Sequence, residues 1–321
     1  MGNILCGVDI GGTKLSVALI TAEGRIIDKC FDCDHVEKTE CGLTDQIKYN
    51  IRLMLRRNYL TESDLCGIGI GCAGHIRFRD GTIITTSNLK GFKGYPLRGD
   101  IQSAFSVPVT LDNDANAQAF GELKFGAGRG YDNMVFLTIS SGIGAGIIID
   151  NKVYRGMTGT AGEFGHTIIE PGSDLVCTCG NKGCLMAVAC GMALPHIFQK
   201  KLKEGKITTL NLPPDFDYSR IDGKLIKQGL DIGDPVSNEI MIDTARYVGI
   251  GIYNIFQALN PQLIVLGGGL LSWGDTFLET IKQTFYELAR DMMFDHVEIK
   301  VSVIGPDAGV IGAASLSLEK C

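Results

Sequence analysis

The chain lacks an excess of basic residues, a membrane-spanning run and a secretory leader. Its 30 Lys and Arg residues are outnumbered by 36 Asp and Glu residues, which leaves a net charge of −6. It has no basic stripe that could bind nucleic acid. No apolar run is long enough to span a bilayer, and the first residues do not form a signal sequence. These absences argue against nucleic-acid, membrane and secreted classes, so we expect a cytoplasmic protein.

The chain also lacks the cysteine pattern of a disulfide framework and any stretch with the composition of a disordered linker. Its 11 cysteines are odd in number and scattered over 321 residues, unlike the dense spacing found in small secreted domains. A reducing compartment is therefore expected. The length by itself predicts about two domains.

Glycine, in contrast, is abundant. Its 42 residues cluster at the ends of predicted strands, where they favour tight turns and close approach of the backbone to a ligand. Short apolar runs typical of strands alternate with segments whose apolar residues recur at helical spacing. This alternation predicts an α/β protein. The periodicity predicts helices over 44–57, 115–125 and 241–259. The β-rich runs predict strands over 4–10, 15–20, 26–31, 66–71, 107–111, 134–139, 145–149, 263–266 and 297–303.

One short segment holds four candidate metal ligands. Cys177, Cys179 and Cys184 have a Cys-x-Cys-x4-Cys spacing, and His166 precedes them. Zinc favours tetrahedral sites of sulfur and nitrogen, and glycines inside the loop let the backbone wrap around an ion. The second ring nitrogen of His166, beside Glu163, could then face a polyhydroxylated ligand. The alternative is a set of small core cysteines and a surface histidine.

Two strand-glycine-strand segments share one pattern. They are D-I-G-G-T-K over 9–14 and S-S-G-I-G-A-G over 140–146. Their backbone N–H groups and hydroxyls can bind phosphate oxygens, with Lys14 as a further donor. Asp9 is suited to hold a hydrated Mg²⁺. Neither segment is a Walker or Rossmann motif, and each alone could be an ordinary turn, but together they predict a nucleotide held in a cleft between two domains.

A third element, L-D-N-D-A-N over 111–116, lies where a strand meets a helix. Phosphoryl transfer needs a base for the attacking hydroxyl, and a carboxylate at a strand end suits that role. Asp and Asn are also favoured helix caps, so a purely structural role is the alternative.

These motifs together resemble those of the ROK family of bacterial sugar kinases and sugar-responsive repressors. Matching segments cover nearly the whole chain: 9–14, Asn88-Leu89 followed by Gly91-Phe92, 112–116, 140–146, E-F-G-H over 163–166, C-x-C-G-N-x-G-C over 177–184 and L-G-G-G over 266–269. The resemblance implies an α/β, actin-like or hexokinase-like (ribonuclease H-like) fold, with two α/β domains around a central cleft. We expect a small N-terminal domain over 1–117 plus 308–321, and a large C-terminal domain with the zinc loop over 118–307.

The resemblance also implies a reaction, in which ATP gives its γ-phosphate to a hexose hydroxyl, usually the 6-hydroxyl. ATP, Mg²⁺ and Zn²⁺ are then the expected cofactors, a sugar is the small-molecule partner, and the assembly is a homodimer. By position, Asp114 matches the catalytic base. The substrate-binding positions are Asn88, Asn113, Glu163, His166 and Met186. The phosphate and Mg²⁺ contacts are Asp9, Gly11, Gly12, Thr13, Lys14, Ser140, Ser141, Gly142 and Gly144. The adenosine-side loop is Gly267, Gly268 and Gly269, and the zinc ligands are His166, Cys177, Cys179 and Cys184.

Two departures from the family pattern affect the expected substrate. Ser140-Ser141-Gly142 stands where the family usually has Gly-Thr-Gly, and Ser141 keeps a hydroxyl. Met186 stands where the family usually has a Glu that accepts hydrogen bonds from the sugar. A thioether is a weak acceptor, so the choice among glucose, mannose, allose, fructose and N-acetylhexosamines such as N-acetylmannosamine stays open.

Two other classes compete with a kinase. A repressor of the family carries an N-terminal helix-turn-helix, and we expect none here because the first predicted strand begins at residue 4. A non-catalytic sugar-binding protein is favoured slightly by Met186 and opposed by Asp114 and the two phosphate loops. Segment 195–235 contains no motif from which a role can be predicted.

Overall fold

The computed structural model describes residues 3–11, 15–32, 40–86, 89, 91–290 and 297–320. The predicted phosphate contacts Gly12, Thr13 and Lys14 and the predicted sugar ligand Asn88 lie outside these residues.

Strands and helices alternate along the described chain. The strands are β1 (Ile4–Ile10), β2 (Leu15–Thr21), β3 (Ile26–Asp32), β4 (Leu65–Cys72), β5 (His75–Arg77), β6 (Thr82–Thr85), β7 (Val109–Asn113), β8 (Met134–Ile139), β9 (Ile143–Ile149), β10 (Lys152–Val153), β11 (Leu263–Gly267) and β12 (Glu298–Val301). The helices are α1 (Glu40–Arg57), α2 (Leu97–Gln102), α3 (Asp114–Phe125), α4 (Leu185–Ala189), α5 (Leu194–Lys203), α6 (Gly223–Asp231), α7 (Pro235–Leu259), α8 (Asp275–Ala289) and α9 (Ala308–Ser315).

Within the described residues, the strands form two five-stranded sheets and a small hairpin. The first sheet has the order β3-β2-β1-β4-β7, and the second has the order β10-β9-β8-β11-β12. In the first sheet β1 is antiparallel to β2 but parallel to β4, and β4 is parallel to β7. The third sheet is the antiparallel pair of β5 and β6. Parallel neighbours place their carboxyl ends at one edge, which is where ligands bind in open α/β sheets.

The first sheet is covered on both faces. Side chains of a strand alternate between its two faces. Val8 packs into a cluster with Ile47 of α1, whereas Leu5 of the same strand packs with Val310 of α9. The apolar residues of β1 are therefore buried on both sides, which explains why the strand is a nearly continuous apolar run.

Two glycines let α9 lie close to this sheet. A Cβ atom on Gly7 would lie 2.1 Å from the carbonyl oxygen of Val310, and a Cβ atom on Gly69 would lie 1.8 Å from that of Ala313. No side chain fits in those gaps. These two glycines lie inside strands β1 and β4 and serve helix packing.

Helix α7 begins earlier than its apolar periodicity predicted. The buried carboxylate of Asp234 caps it by accepting a hydrogen bond from the backbone N–H of Ser237 at 2.7 Å, and Pro235 occupies the first turn, where its missing N–H costs nothing. The helix ends at Leu259 and is capped by Asn260, which has a left-handed φ of 42°. The segment 195–235, which had no readable motif, contains most of α5 and all of α6.

The chain divides into two compact units. Unit 1 comprises Met1–Phe136, Gly146–Gly162 and Val301–Cys321, and unit 2 comprises Leu137–Ala145 and Glu163–Lys300. The domain ranges 1–117 plus 308–321 and 118–307 stay a prediction. Among the described helices, none combines the length and the apolar character needed to cross a membrane.

Candidate active site and metal centre

The parallel strands of unit 1 align their carboxyl ends in register. Asp9 pairs with Gly71, and Gly71 pairs with Asp112. The residues that follow, including Gly11 and Asp114, therefore leave the sheet at the same edge. The structure thus places the predicted Mg²⁺ ligand and the predicted base at the ends of strands of one sheet.

Asn113 and Asp114 form the start of helix α3. The Asn113 side-chain oxygen accepts hydrogen bonds from the backbone N–H groups of Ala115 and Asn116, at 2.8 and 3.4 Å. Its side-chain nitrogen donates to the carbonyl oxygen of Gly74 at 3.0 Å. Asn113 is the helix cap, and Asp114 is the first helical residue, where the helix dipole favours a negative charge.

Asp9 is a carboxyl group in an unfavourable environment. Burial, followed by the nearby charge of Asp114, raises the pKa of Asp9 to about 6. A Cβ atom on Gly309, in the first turn of α9, would lie 2.3 Å from a carboxylate oxygen of Asp9. Only glycine lets the helix start so close to this carboxylate. Two neighbouring carboxylates of this kind are stabilised by a proton or by a bound cation.

In unit 2 the predicted phosphate loop and the predicted adenosine-side loop meet. The Ser140 N–H donates to the carbonyl oxygen of Gly142 at 2.9 Å, which closes a tight turn after β8. Gly268 has a φ of 97°, and a Cβ atom there would lie 2.3 Å from the carbonyl oxygen of Ile139. A Cβ atom on Gly269 would lie 3.7 Å from the Ser140 hydroxyl. Ser141 lies in the turn between β8 and β9, Gly144 is the second residue of β9, and Gly267 is the last residue of β11.

The predicted metal ligands form one cluster. The ligand atoms of His166, Cys177, Cys179 and Cys184 all lie within 4.8 Å of one another. The Cys177 Sγ lies 3.3 Å from the His166 Nδ1, and the Cys179 Sγ lies 3.8 Å from the Cys184 Sγ. Sulfur atoms on a tetrahedral zinc ion are about 3.8 Å apart, given Zn–S bonds of about 2.3 Å. The donor set and its spacing fit such an ion.

Two features of the surroundings favour metal binding, and a third makes the charge state of one thiol depend on a bound ion. The backbone N–H of Asn181 helps to lower the pKa of the Cys179 thiol to about 7, towards the thiolate that binds metals. Gly183 has a φ of 69°, and a Cβ atom there would lie 1.9 Å from the carbonyl oxygen of Glu170, so the loop can close only with glycine. Burial raises the pKa of Cys184 to about 12, so a bound cation is needed to make this thiol a thiolate near neutral pH.

The two nitrogens of His166 face different groups. Nδ1 faces Cys177, while Nε2 lies 3.7 Å from a carboxylate oxygen of Glu163. The imidazole can thus bind a metal through one nitrogen and leave the other on the side of Glu163, as the sequence predicted.

Met186 lies between this histidine segment and the phosphate loop. It is on the short helix α4, and its sulfur accepts a hydrogen bond from the Thr178 hydroxyl at 3.7 Å. Its terminal methyl lies 3.1 Å from the position of a Cβ atom on Gly165 and 3.8 Å from that on Gly142. On another side Met186 lines a cavity of about 570 Å³ together with Met192. The position at which the family pattern has a carboxylate is therefore apolar.

Sequence reasoning missed the groups that surround Asp112. This carboxylate is 2% exposed, and it accepts a hydrogen bond from the Nε of Arg155 at 2.6 Å. Arg155 follows Asp112 by 43 positions in the chain, and no motif links the two. Only the folded structure shows that they are partners.

Comparison with known proteins tests the resemblance. The sequence model of the ROK family matches residues 5–320. The chain belongs to the ROK family. This ROK chain is 35% identical to a glucokinase of Halalkalibacterium halodurans over 311 residues, which are 97% of the chain and 93% of that protein. It is 32% identical to a xylose repressor of Caldicellulosiruptor bescii over 319 residues, which are 99% of the chain and 79% of the repressor.

Solved structures agree with the family assignment. The ROK family glucokinase from Streptomyces griseus, in complex with glucose and AMPPNP, matches this ROK chain with a TM-score of 0.79 and 30% identity. The match covers 98% of this chain and 99% of that one. The predicted family and the predicted α/β fold of the actin-like or hexokinase-like class are confirmed.

The environment of Asp9 predicts a pH-dependent cost to the stability of the ligand-free ROK protein. The folded-state pKa, about 6, lies above the ordinary aspartate pKa of 3.8, so the folded protein binds this proton more tightly than the unfolded chain. Stability is therefore lost as the pH rises from about 4 to about 6, by up to about 3 kcal/mol. Asp9→Asn should raise the melting temperature above pH 6 and have little effect at pH 4.

Asp28→Asn is the matched control for this pH experiment. Hydrogen bonds, first of all from Arg57, lower the pKa of Asp28, so the effect on stability has the opposite sign. This variant should lower the melting temperature at neutral pH and lose that effect in acid. If Asp9→Asn is as destabilising at pH 8 as at pH 4, the Asp9 carboxylate is not strained in the folded protein.

Proposed function

We propose that this ROK protein is an ATP-dependent sugar kinase that transfers the γ-phosphate of ATP to a hexose hydroxyl, with the 6-hydroxyl of a glucose-type hexose as the expected acceptor. The observation that carries the proposal is the pair of interacting carboxylates, Asp9 and Asp114, at one edge of the first sheet. The similarity to glucokinases supports it. Phosphoryl transfer uses such a pair, one to hold a metal and one to receive a proton.

Asp114 is proposed as the general base. Its position in the first turn of α3 stabilises the ionised carboxylate, and its neighbour Asn113 holds the turn in place through the cap. In this role Asp114 accepts the proton of the sugar hydroxyl as that oxygen attacks the γ-phosphate.

Asp9 is proposed to hold Mg²⁺, which neutralises charge on the phosphates when it is bound. Burial and the charge of Asp114 disfavour a bare carboxylate at this position, and a cation relieves both effects. Contacts to the phosphates are assigned to the glycine segments of the sequence, namely Gly11, Gly12, Thr13 and Lys14 and Ser140, Ser141, Gly142 and Gly144. Gly267, Gly268 and Gly269 are assigned to the adenosine side.

Sugar binding is assigned to Asn88, Asn113, Glu163 and His166. Asn113 already uses its amide in the helix cap and in the bond to Gly74. An amide has further donor and acceptor capacity, so Asn113 can still contact a sugar. Its first contribution, however, is to hold Asp114 at the start of the helix.

Zinc is proposed as the ion of the four-residue cluster, with a structural role. Three thiols and one imidazole form the closed ligand set of such sites. Binding energy from the ion would order the loop over 177–184 and orient His166, whose Nε2 faces Glu163. The ion supports the sugar site without contacting the sugar.

The identity of the sugar depends on Met186. Its thioether and terminal methyl occupy the corner between Gly142 and Gly165, where a carboxylate would accept hydrogen bonds from a hexose. Allose, mannose, fructose and N-acetylmannosamine are the alternative substrates. Each differs from glucose in the configuration, position or substitution of its hydroxyls, and a sugar that lacks or modifies the hydroxyl at this corner loses less when the acceptor is absent.

Two other functions remain as alternatives. Similarity to a xylose repressor of which this chain spans 79% supports a sugar-responsive regulator. The apolar Met186 supports a sugar-binding protein without catalysis. Neither alternative needs Asp114 to accept a proton, so turnover separates both of them from the kinase. The cytoplasmic location and the homodimer also stay predictions.

The first prediction of the kinase proposal concerns turnover. The wild-type protein should release ADP from ATP with at least one sugar of a hexose and hexosamine panel, and Asp114→Asn should lower kcat at least ~100-fold while ATP binding is kept. Asp275→Asn is the matched control, because Asp275 also occupies the first turn of a helix. Its kcat should not change. Full turnover by Asp114→Asn would show that Asp114 is not the base and has only a structural role at the start of the helix.

The zinc proposal predicts one zinc ion per chain in protein purified without chelator. Cys179→Ser should lose the metal, lower the melting temperature and reduce activity, because metal binding helps to order the loop. Cys190→Ala is the control, since Cys190 lies just after the loop and is outside the cluster. It should keep its zinc. Metal-free wild-type protein with full activity and an unchanged melting temperature would contradict the proposal.

Met186 predicts a change of sugar preference. Met186→Glu should raise kcat/KM for an unmodified hexose such as glucose by roughly tenfold, because a charge-assisted hydrogen bond contributes about 1.5–3 kcal/mol. It should weaken a substrate that fills the corner with an apolar group. Met192→Glu, in the same cavity but exposed, is the control. If both variants rank the sugars by kcat/KM in the same order as the wild type, Met186 does not determine specificity.

A further inference from the structure

The carboxylate of Asp112 organises the turn that carries Asp114. Its Oδ1 accepts hydrogen bonds from the backbone N–H of Asn113 at 2.7 Å and from the side-chain nitrogen of Asn116 at 3.0 Å. Its Oδ2 accepts the bond from the Nε of Arg155 at 2.6 Å. Asp112 is thus bonded to residues on both sides of Asp114 and is itself oriented by one guanidinium group.

Arg155 is held in place by groups far from it in the sequence. Both of its terminal nitrogens donate to the carboxylate of Glu319 in the C-terminal turn, Nη1 at 2.9 Å. Its guanidinium lies 3.6 Å from the ring centroid of Phe78, within the range of a cation–π contact. Its side chain is 13% exposed. A planar fork held on three sides in this way has one orientation, which a lysine could not reproduce.

The charges of this group depend on one another. Asp112 is almost fully buried, and burial raises the pKa of its carboxyl, while the charge of Arg155 opposes that rise. Without the guanidinium, the carboxylate would be buried and unpaired, and it would take up a proton at a higher pH. A protonated Asp112 has a donor in place of one of its acceptor positions, so the bonds that hold the turn would change.

We propose that Arg155, anchored by Glu319, is a positioning residue for the transfer reaction, acting through Asp112 on the turn over 113–116 and so on the placement of Asp114. The inference rests on the proposed function. The bonds run from Glu319 to Arg155, to Asp112 and to Asn113 and Asn116, all within unit 1. The C-terminal turn thereby stabilises the geometry at the sheet edge.

Arg57 provides the control for a purely structural role. It makes a bidentate pair with Asp28 in the same unit, but neither residue is bonded to the turn over 113–116 by any hydrogen bond described in the structure. Loss of either arginine should lower the melting temperature. Only the loss of Arg155 should change the reaction.

The experiment measures kcat, KM and the pH dependence of kcat for wild type, Arg155→Met, Arg155→Lys, Glu319→Gln and Arg57→Met, well below each melting temperature. For Arg155→Met we expect kcat to fall ~10- to 100-fold, since a small misplacement of a reacting group has this effect, with both KM values within ~3-fold. The acid limb of its kcat profile should move to higher pH. Arg155→Lys should recover only part of the loss, Glu319→Gln should show a smaller loss, and Arg57→Met should keep the wild-type profile.

Where Arg155→Met fails to fold, the double variant Arg155→Met/Asp112→Asn removes both buried charges. Its kcat should stay low because the turn still lacks its anchor, but its acid limb should return to the wild-type pH, since no carboxylate remains to be protonated. The proposal is overturned if the Arg155 variants and Arg57→Met keep the same kcat and the same pH profile.

Amide hydrogen exchange separates this inference from the proposed function. Exchange at Asn113, Ala115 and Asn116 in the ligand-free protein should be faster in Glu319→Gln and in Arg155→Lys than in Arg57→Met. If no sugar is phosphorylated but this difference is present, the kinase proposal fails and Arg155 still orders the turn. If amide exchange at these residues is the same in all the variants and turnover is intact, Arg155 has no positioning role.

Discussion

The close packing around α9 is the constraint on which unit 1 depends. Gly7 and Gly69 leave no room for a side chain between the first sheet and this helix, and Gly312 of α9 would place a Cβ atom 2.6 Å from the carbonyl oxygen of Ala117 in α3. The sheet, α9 and α3 therefore meet almost backbone to backbone. This packing sets Asp9 against the start of α9 and brings the start of α3 to the same edge of the sheet, so the proposed catalytic carboxylates are placed by glycines that never contact a substrate.

Unfavourable electrostatics at that edge support a role in binding. Burial and the charge of Asp114 both oppose the ionised form of Asp9, and a fold selected for stability alone would avoid such a pair. Groups of this kind are concentrated at functional sites, where a ligand or an ion compensates them. In unit 2 the same reasoning applies to the thiols near His166: burial raises the pKa of Cys184 to about 12, and a metal ion in the cluster would stabilise its thiolate.

The local chemistry of both sites could be predicted because it lies in short segments. Spacing of three cysteines and one histidine predicted a cluster that the structure brings within 4.8 Å, since the intervening glycines allow the loop to turn. The helix start at Asn113 and Asp114 was also visible, because capping is a local property of the backbone. The predicted ends of helices and strands were less accurate. Helix α7 begins at Pro235, ahead of its apolar periodicity, because Asp234, Ser237, Asn238 and Glu239 at its start are polar.

The sequence by itself thus determined the family, the α/β alternation, the members of the His-Cys cluster and the residues at the ends of β1 and β7. Each of these depends on neighbours within a few residues or on a motif shared across the family. Only the tertiary structure decided which glycines serve packing, that Met186 lies between Gly142 and Gly165, and that Asp112 is held by Arg155. These contacts join residues distant in the chain, such as Arg155 and Glu319, which are 164 positions apart. Pairings of that kind depend on how sheets and helices pack, and no local pattern of charge or hydrophobicity specifies them.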